Sequence, residues 1–328
     1  NHDFETFKTS DAIISCIIFI FSCKKDDTRN QVDPVIPPKA ADFAKIREGG
    51  LNRLVQKFTV DTENDIEIES EKGVSVRIVA SSLKLNGEPV TGDIDLEFVE
   101  IFDPGDMLAA NKRTMGRLPD GKLAMLITGG AFYINASQDG QPLDRDAQIR
   151  LLVPGELTGE ADPDMILWDG ELDDDGNLTW VPKKRDSGQD GDNLFIEGTQ
   201  YYATFSNFGW TNIDKFYNDP REKTELWVKV PEGFDNKNSA VYLKYKGEPN
   251  ALASMDVYDT EKKMFSEHYG QIPIGIECHL IFATESNENW RIAVKSVTIE
   301  EDGTYEFSGN ETQVMTESAM IQLINDLP

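Results

Sequence analysis

The chain has 328 residues and a formal net charge of −27, because 59 acidic side chains outnumber 32 basic ones. Such an excess of negative charge repels nucleic-acid phosphates and anionic lipid headgroups, so we expect no nucleic-acid partner. The length suits two domains of ordinary size, and the content of aliphatic and aromatic residues is too high for an intrinsically disordered chain.

An apolar run from Ala12 to Phe21 is the first predicted element of the chain. It is shorter than the roughly 20 residues that a membrane-spanning helix needs, but it matches the roughly 7–15-residue core of a secretion signal. The small residue Ser22 follows the run and precedes Cys23. Four charged residues come next: Lys24, Lys25, Asp26 and Asp27. This order predicts a secretion signal, and the alternatives are a short buried apolar strand or a hydrophobic tail on a soluble protein.

The residues Ile20-Phe21-Ser22-Cys23 resemble the lipobox of bacterial lipoproteins, where a signal peptidase cuts before a cysteine that carries a lipid. The charged residues that follow resemble the export signal of Bacteroidota surface lipoproteins. This resemblance implies that residues 1–22 are a signal peptide, that Cys23 bears the lipid and that the four charged residues direct export. It also implies an outer-membrane protein that is exposed on the cell surface and held to the membrane by its lipid. The segment before the apolar run departs from the pattern, since it is acidic rather than basic.

Residues 23–57 are predicted to form a tether followed by a short helix. The prolines at positions 34, 37 and 38 indicate an extended chain. Apolar residues between Ala40 and Phe58 then recur near helical spacing. Gly49-Gly50 interrupts this pattern, so two short turns are the alternative to one helix.

From residue 58 onward, apolar and polar residues alternate in short runs such as Ile94 to Phe98, separated by turn signals such as Asn86-Gly87. This pattern predicts a mainly β fold of two antiparallel β-sandwich-like domains. We place them at residues 58–190 and 191–328, divided within a polar, glycine-containing run. A short C-terminal helix is predicted over Thr316 to Leu327, capped by Thr316 or Ser318.

Both β regions resemble tandem β-sandwich modules of secreted Bacteroidota proteins. The matching residues include Gly129-Gly130-Ala131-Phe132 in the first region and Phe208-Gly209-Trp210-Thr211-Asn212 with Ile272-Pro273-Ile274-Gly275 in the second. These motifs are structural, so the resemblance implies a fold and no particular activity.

Catalytic motifs are absent from the sequence downstream of the signal. There is no Gly-x-Ser-x-Gly nucleophile elbow and no histidine–cysteine spacing typical of zinc sites. Once Cys16 leaves with the signal and Cys23 takes the lipid, Cys278 stands alone, and we interpret it as a buried apolar residue. A glycosidase needs only two placed carboxylates, so the sequence leaves a glycan-active hydrolase open as an alternative.

Asp173 and Asp175 precede Gly176 at alternate positions, as in a calcium-binding loop. However, Pro182 stands where the bidentate glutamate belongs. An acidic hairpin tip is therefore the favoured interpretation, and we expect no cofactor. Weak calcium binding at Asp173 and Asp175 stays the alternative.

Aromatic residues crowd the segment from residue 201 to residue 217. We predict a ligand platform there, formed by Tyr202, Trp210, Asn212, Asp214 and Tyr217. Exposed rings on a β-sandwich would bind a glycan or a protein. The alternative is that these rings pack in the core.

Together these features predict a surface-anchored lipoprotein that acts as a non-enzymatic binding or scaffold module, for adhesion or for capture of glycans or proteins. A hydrolase that uses an unrecognised carboxylate pair is the first alternative. A purely structural envelope subunit is the second.

Overall fold

The computed structural model describes residues 35–173, 176–183 and 193–328. The predicted signal peptide, Cys23 and the four charged export residues lie outside this range, as does Asp175. Val35–Pro328 form one compact unit.

Three α-helices occur in the described residues: α1 (Ala40–Arg53), α2 (Pro104–Ala109) and α3 (Glu317–Asn325). Short 3₁₀ turns lie at Ala80–Ser82, Gly155–Thr158 and Gly309–Glu311. Across residues 35–173, 176–183 and 193–328, none of the helices combines the length and the apolar character that crossing a membrane requires.

The strands follow in chain order. The first twelve are β1 (Gln56–Asp61), β2 (Ile66–Glu69), β3 (Ser75–Ile78), β4 (Lys84–Leu85), β5 (Glu88–Pro89), β6 (Asp93–Ile101), β7 (Met115–Arg117), β8 (Leu123–Gln138), β9 (Gln141–Pro142), β10 (Asp146–Pro154), β11 (Ile166–Leu172) and β12 (Leu178–Pro182). The next twelve are β13 (Asn193–Glu197), β14 (Gln200–Asn207), β15 (Gly209–Phe216), β16 (Lys223–Lys229), β17 (Ser239–Tyr245), β18 (Ala253–Ser254), β19 (Val257–Asp259), β20 (Met264–Pro273), β21 (Glu277–Ser286), β22 (Asn289–Thr298), β23 (Gly303–Glu306) and β24 (Gln313–Met315).

Two sheets form a first β-sandwich. One has the order β1-β6-β8-β15-β11-β12-β7, with β9 added to β8, and the other has the order β13-β14-β10-β3-β2. Inward residues of alternating strands fill the space between them, including Val76, Phe98, Phe132, Ile149 and Tyr201. This alternation is what the hydrophobic effect requires of a sheet with one face buried.

The first sheet closes on itself at one end, because β7 pairs with both β12 and β8. The contact between β7 and β12 is parallel and joins Gly116 to Trp180. A side chain at Gly116 would lie 2.7 Å from Leu126 and 2.9 Å from Trp168. Glycine at this position therefore lets the ring of strands close around large apolar side chains.

A second β-sandwich combines the sheets β19-β20-β16-β23 and β18-β17-β21-β22-β24. Its core includes Leu226, Val228, Leu243, Phe265 and Phe282. Strand β17 is buried on both faces along its whole length, because its other face packs toward the helices. Neighbouring strands are antiparallel except for the β7–β12 and β16–β23 pairs.

The helices share a further apolar cluster with both sandwiches, which includes Phe43, Trp180, Tyr242, Trp290 and Met320. Helix α1 approaches α2 closely at Gly50, where a Cβ atom would lie 2.3 Å from the carbonyl oxygen of Ala109. The glycine pair that interrupts the apolar pattern of α1 therefore marks a helix contact, and α1 is one continuous helix.

The predicted fold class is confirmed, since the protein is mainly β with several antiparallel sheets and short helices near each end of the described residues. Thr316 caps α3, accepting a hydrogen bond of 3.3 Å from the backbone N–H of Ala319.

The sheets do not divide at residue 190, where we placed the domain boundary. Strands β13 and β14 pair with β10, and β15 pairs with β8 and β11, so residues 193–216 belong to the first sandwich. The second sandwich begins at β16, residue 223. The polar run before residue 193 connects β12 in one sheet of the first sandwich to β13 in the other sheet. A connection between two sheets can have the same polar composition as a linker between two domains.

Candidate functional site

Three of the five residues predicted as a ligand platform are buried, and the other two, Tyr202 and Tyr217, are half-buried. Trp210 is 7% exposed, and its ring centroid lies 5.3 Å from that of Tyr133 and 6.3 Å from that of Trp180. Tyr217 is half-buried and makes an edge contact with Tyr245 at 4.9 Å. The prediction of an exposed platform is therefore wrong for these two rings. Trp210 packs in the apolar cluster shared with the helices, and Tyr217 packs against the core of the second sandwich.

Asn212 and Asp214 are completely buried. The Asn212 amide donates a hydrogen bond of 2.5 Å to the Asp214 carboxylate, next to a bulge between β15 and β8. Burial raises the pKa of Asp214 well above its usual value, although hydrogen bonds from Thr128 and Asn212 oppose the shift. Strand β15 is a central strand that is covered on both sides. The side chains of Asn212 and Asp214 therefore bind each other inside the protein and do not face a ligand.

Tyr202 is the exception, because it points outward from β14. The residues on either side of it, Tyr201 and Ala203, are buried in the first sandwich. The outward side of the sheet β13-β14-β10-β3-β2, which we name the outer face, carries the opposite set of residues. Tyr202 is therefore placed on a broad surface of five strands.

An aromatic pair stands on the outer face. Phe195 on β13 lies opposite Tyr202 in the register. The two rings are stacked, with centroids 4.6 Å apart and planes inclined by 26°. Phe195 is 49% exposed, although its side chain is large and apolar. The stacked pair therefore presents an apolar surface to solvent.

The register extends this pair into two parallel rows across the sheet. The first row, which we name the apolar row after Phe195, Tyr202 and Leu152, continues to the polar residues Ser75 and Glu69. The polar row beside it runs in the order Asn193, Thr204, Arg150, Arg77 and Glu67. Cross-strand neighbours on one face lie about 5 Å apart, so each row forms a continuous strip.

The two arginines of the polar row differ in their partners. Arg77 makes ion pairs with Asp65 at 3.0 Å and with Glu67 at 3.5 Å. Its hydrogen bond lowers the pKa of the Asp65 carboxyl. Arg150 makes no ion pair and no side-chain hydrogen bond with any residue in the described ranges, although its charge also lowers the pKa of Asp65. The centre of the outer face thus holds a guanidinium that has no direct anionic partner among residues 35–173, 176–183 and 193–328.

Of the two predicted calcium ligands, Asp173 belongs to the described residues and Asp175 lies outside them. Both carboxylate oxygens of Asp173 accept hydrogen bonds from Asn177, at 2.8 Å from the backbone N–H and 3.0 Å from the side chain. This arrangement is typical of a hairpin turn. Among the described residues, no three histidine, cysteine or acidic side chains form a group suited to a metal ion.

A carboxylate with a strongly raised pKa lies in the second sandwich. Burial raises the pKa of Glu267 to about 7, although the backbone N–H groups of Tyr269 and Gly270 donate to its oxygens at 3.1 and 3.2 Å. The cavity that it lines has a volume of about 20 Å³, which is about the space for one water molecule. A sugar ring does not fit there, so Glu267 gives no support to the hydrolase alternative.

Cys278 and His279 point to opposite faces of β21. Cys278 is 1% exposed, and burial raises the pKa of its thiol to about 12. His279 is 6% exposed, and its Nδ1 atom lies 3.0 Å from the Ser296 hydroxyl. The interpretation of Cys278 as a buried apolar side chain agrees with this position.

Sequence reasoning missed Phe195 and Arg150 as site residues. Phe195 stands between Leu194 and Ile196, so an unbroken apolar run hides which side chain points outward. Arg150 alternates with Ile149 and Leu151, which identified it as outward but did not show that it neighbours Tyr202. The signal available in the sequence was the alternation alone.

Two of the three comparisons with known proteins found no match. No family model matches it, and no curated protein does either. Among solved structures, the crystal structure of the group B streptococcus pilus 2b backbone protein shows a likeness that covers 72% of this chain and 98% of that one. Its sequence identity is 6% and its TM-score is 0.15, which is too low to support an argument about function.

Proposed function

We propose that this protein is a glycan-binding module whose ligand lies on the outer face of the first sandwich. The observation that carries the proposal is the stacked pair of Phe195 and Tyr202 on a sheet face, in which Phe195 is exposed and Tyr202 is half-buried. Contiguous exposed apolar patches mark interaction sites, whereas single exposed apolar residues are ordinary, so the pairing of the two rings is what matters here.

The chemistry of the two rows favours a sugar as the ligand. One face of a pyranose ring is lined with C–H groups. This face can pack flat on an aromatic ring, which buries a large apolar contact area. Its hydroxyl groups project sideways toward hydrogen-bonding partners. The apolar row supplies the flat surface, and the polar row beside it supplies the guanidinium group of Arg150.

We further propose that the protein is an outer-membrane lipoprotein, anchored through a lipid on Cys23 and exposed on the cell surface. The order of the apolar run, Ser22, Cys23 and the charged residues supports this proposal. Protease shaving of intact cells tests it, with Cys23→Ala as the unanchored control. Digestion of the protein while periplasmic markers survive is the expected result, and complete protection contradicts surface exposure.

Binding to immobilised polysaccharides tests the glycan proposal. We expect the purified full chain to bind at least one class of polysaccharide, and we expect Phe195→Ala and Tyr202→Ala each to weaken binding by roughly tenfold. Leu172→Ala is the matched control, because Leu172 is a 54% exposed apolar residue on a different sheet.

Three outcomes would contradict the glycan proposal. The first is no binding to any polysaccharide, and the second is binding that survives both aromatic substitutions. The third is equal loss in the Leu172→Ala control. Melting temperatures of all variants should stay close to that of the parent protein, since the substituted side chains point to solvent.

A further inference from the structure

We propose that the outer face selects acidic glycans, and that Arg150 receives the carboxylate of a uronic acid unit whose ring stacks on Tyr202 and Phe195. This inference rests on the proposed glycan function and names the class of its ligand. It is carried by the position and the charge of one side chain.

Arg150 occupies the middle strand of its sheet, β10, with two strands on each side. Its cross-strand neighbours are Thr204 on β14 and Arg77 on β3. Tyr202 lies opposite Leu152, two residues further along the same side of β10. Diagonal neighbours on a sheet face lie within reach of long side chains. The guanidinium of Arg150 can therefore meet a ligand that rests on the Tyr202 ring.

The contrast with Arg77 shows what Arg150 lacks. Two carboxylates neutralise Arg77, at 3.0 and 3.5 Å. Arg150 has no ion-pair partner in the described part of the chain, although acidic side chains outnumber basic ones by 59 to 32. Arg150 differs from Arg77 in having no carboxylate of the described residues at salt-bridge distance, although both lie in the same row of the outer face. A carboxylate on the ligand would form an ion pair with Arg150.

Arginine suits a carboxylate in particular. Its planar guanidinium presents paired N–H donors that match the two oxygens of a carboxylate, and it stays charged at every physiological pH. A neutral sugar would leave this charge unpaired, whereas a uronate would stack by its ring and pair by its acid group. The charge of Arg150 thus distinguishes uronates from neutral sugars of the same shape.

The negative charge of the whole protein sets a condition on this selection. A net charge of −27 repels a polyanion at long range. Recognition of an acidic glycan then depends on short-range contacts at Arg150 and the aromatic pair. We therefore expect affinity to depend on those contacts and to be lost when they are removed.

The experiment compares acidic oligosaccharides with their methyl esters, which keep the sugar and remove the charge. The probes are oligogalacturonate, oligomannuronate and an oligosaccharide of hyaluronan, each with its esterified form, titrated against the purified full chain. We expect at least one acid to bind about fivefold or more tightly than its ester, the size of an exposed ion pair at its upper range.

The Arg150→Gln variant then tests whether Arg150 causes the preference for the acid over its ester. We expect it to bind acid and ester equally. Arg117→Gln is the matched control, since Arg117 is similarly part-exposed but lies on β7 in the other sheet. It should keep the full preference for the acid.

The outcomes separate this inference from the glycan proposal itself. Equal binding of acids and esters overturns selection of acidic glycans and leaves glycan binding standing. A preference that survives Arg150→Gln overturns the role of Arg150. If neither acids, esters nor neutral polysaccharides bind, both proposals fail, and a protein ligand becomes the explanation of the exposed aromatic pair.

Discussion

The carboxamide of Asn212 donates a hydrogen bond of 2.5 Å to the carboxylate of Asp214, and neither side chain reaches solvent. The other oxygen of Asp214, Oδ1, has no hydrogen-bond partner among the described residues. An ionised carboxylate in such a place is costly, which is why burial raises its pKa. The pair that looked like a ligand-orienting group in the sequence is a buried structural pair.

Asp214 should make the protein less stable as pH rises. The pKa in the folded state is above the ordinary value of 3.8, so the unfolded chain releases its proton first. Between those two values, the free energy of unfolding should fall by up to about 1.4 kcal/mol per pH unit. Asp214→Asn, which resembles the protonated acid, should remove this slope in denaturant titrations across the acid range. An unchanged slope would show that Asp214 is ionised in the folded protein.

Glu267 should contribute a second slope of the same sign in the window from 4.5 to about 7. The folded protein retains this proton while the unfolded chain loses it, so stability falls by about 3 kcal/mol over the window. Glu267→Gln should flatten that part of the profile. Glu261→Gln is the control, because Glu261 is exposed in the connection between β19 and β20. A profile that is the same in both variants would contradict the prediction.

Lys112 should show the opposite sign. Burial and the charges of Arg47 and Arg113 lower its pKa from 10.5 to about 8, and its amine lies 5.6 Å from the Trp210 ring. Below pH 8 the folded protein bears the full cost of the charge, and stability rises as pH increases from 8 to 10.5. Lys112→Met should therefore stabilise the protein at pH 7, by about 3 kcal/mol at most. The exposed Lys237→Met should have little effect. A destabilised Lys112→Met variant would mean that the amine has a favourable partner.

The adjacent glycines of α1 provide a matched pair. A Cβ at Gly50 would lie 2.3 Å from the carbonyl oxygen of Ala109, whereas nothing lies within 4 Å of a Cβ at Gly49. Gly50→Ala should cost about 2 kcal/mol or more, because α1 must move away from α2. Gly49→Ala should stabilise the helix by roughly 0.5–1 kcal/mol. Thermal denaturation of both variants measures the difference, and equal effects would contradict the close contact.

Alternation in the sequence predicted the strands because one face of each sheet is buried, as in β6 and β10. It did not predict the strand order, since pairing joins residues far apart in the chain, such as those of β10 and β3. The boundary at residue 190 failed for the same reason. A polar connection between two sheets of one sandwich has the composition of a linker between domains.

The candidate site shows the same limit. Tyr202 and Trp210 are similar in the sequence, yet one lies on an outward side and the other is sandwiched between layers. Period-two patterning places neighbours on opposite faces but does not say which face is covered by a further layer. That information comes from the helices and the second sandwich, which cover β15 but, within the described part of the chain, do not cover the outer face.

Hydroxyl-radical footprinting of the protein with and without its bound oligosaccharide is the most direct test of the central claim. It measures the solvent access of individual side chains, and aromatic rings react readily. We predict that Phe195 and Tyr202 become protected on binding, while Leu172 and Tyr305 react as before. Saturating binding with unchanged reactivity at Phe195 and Tyr202 would place the ligand elsewhere and contradict the assignment of the outer face.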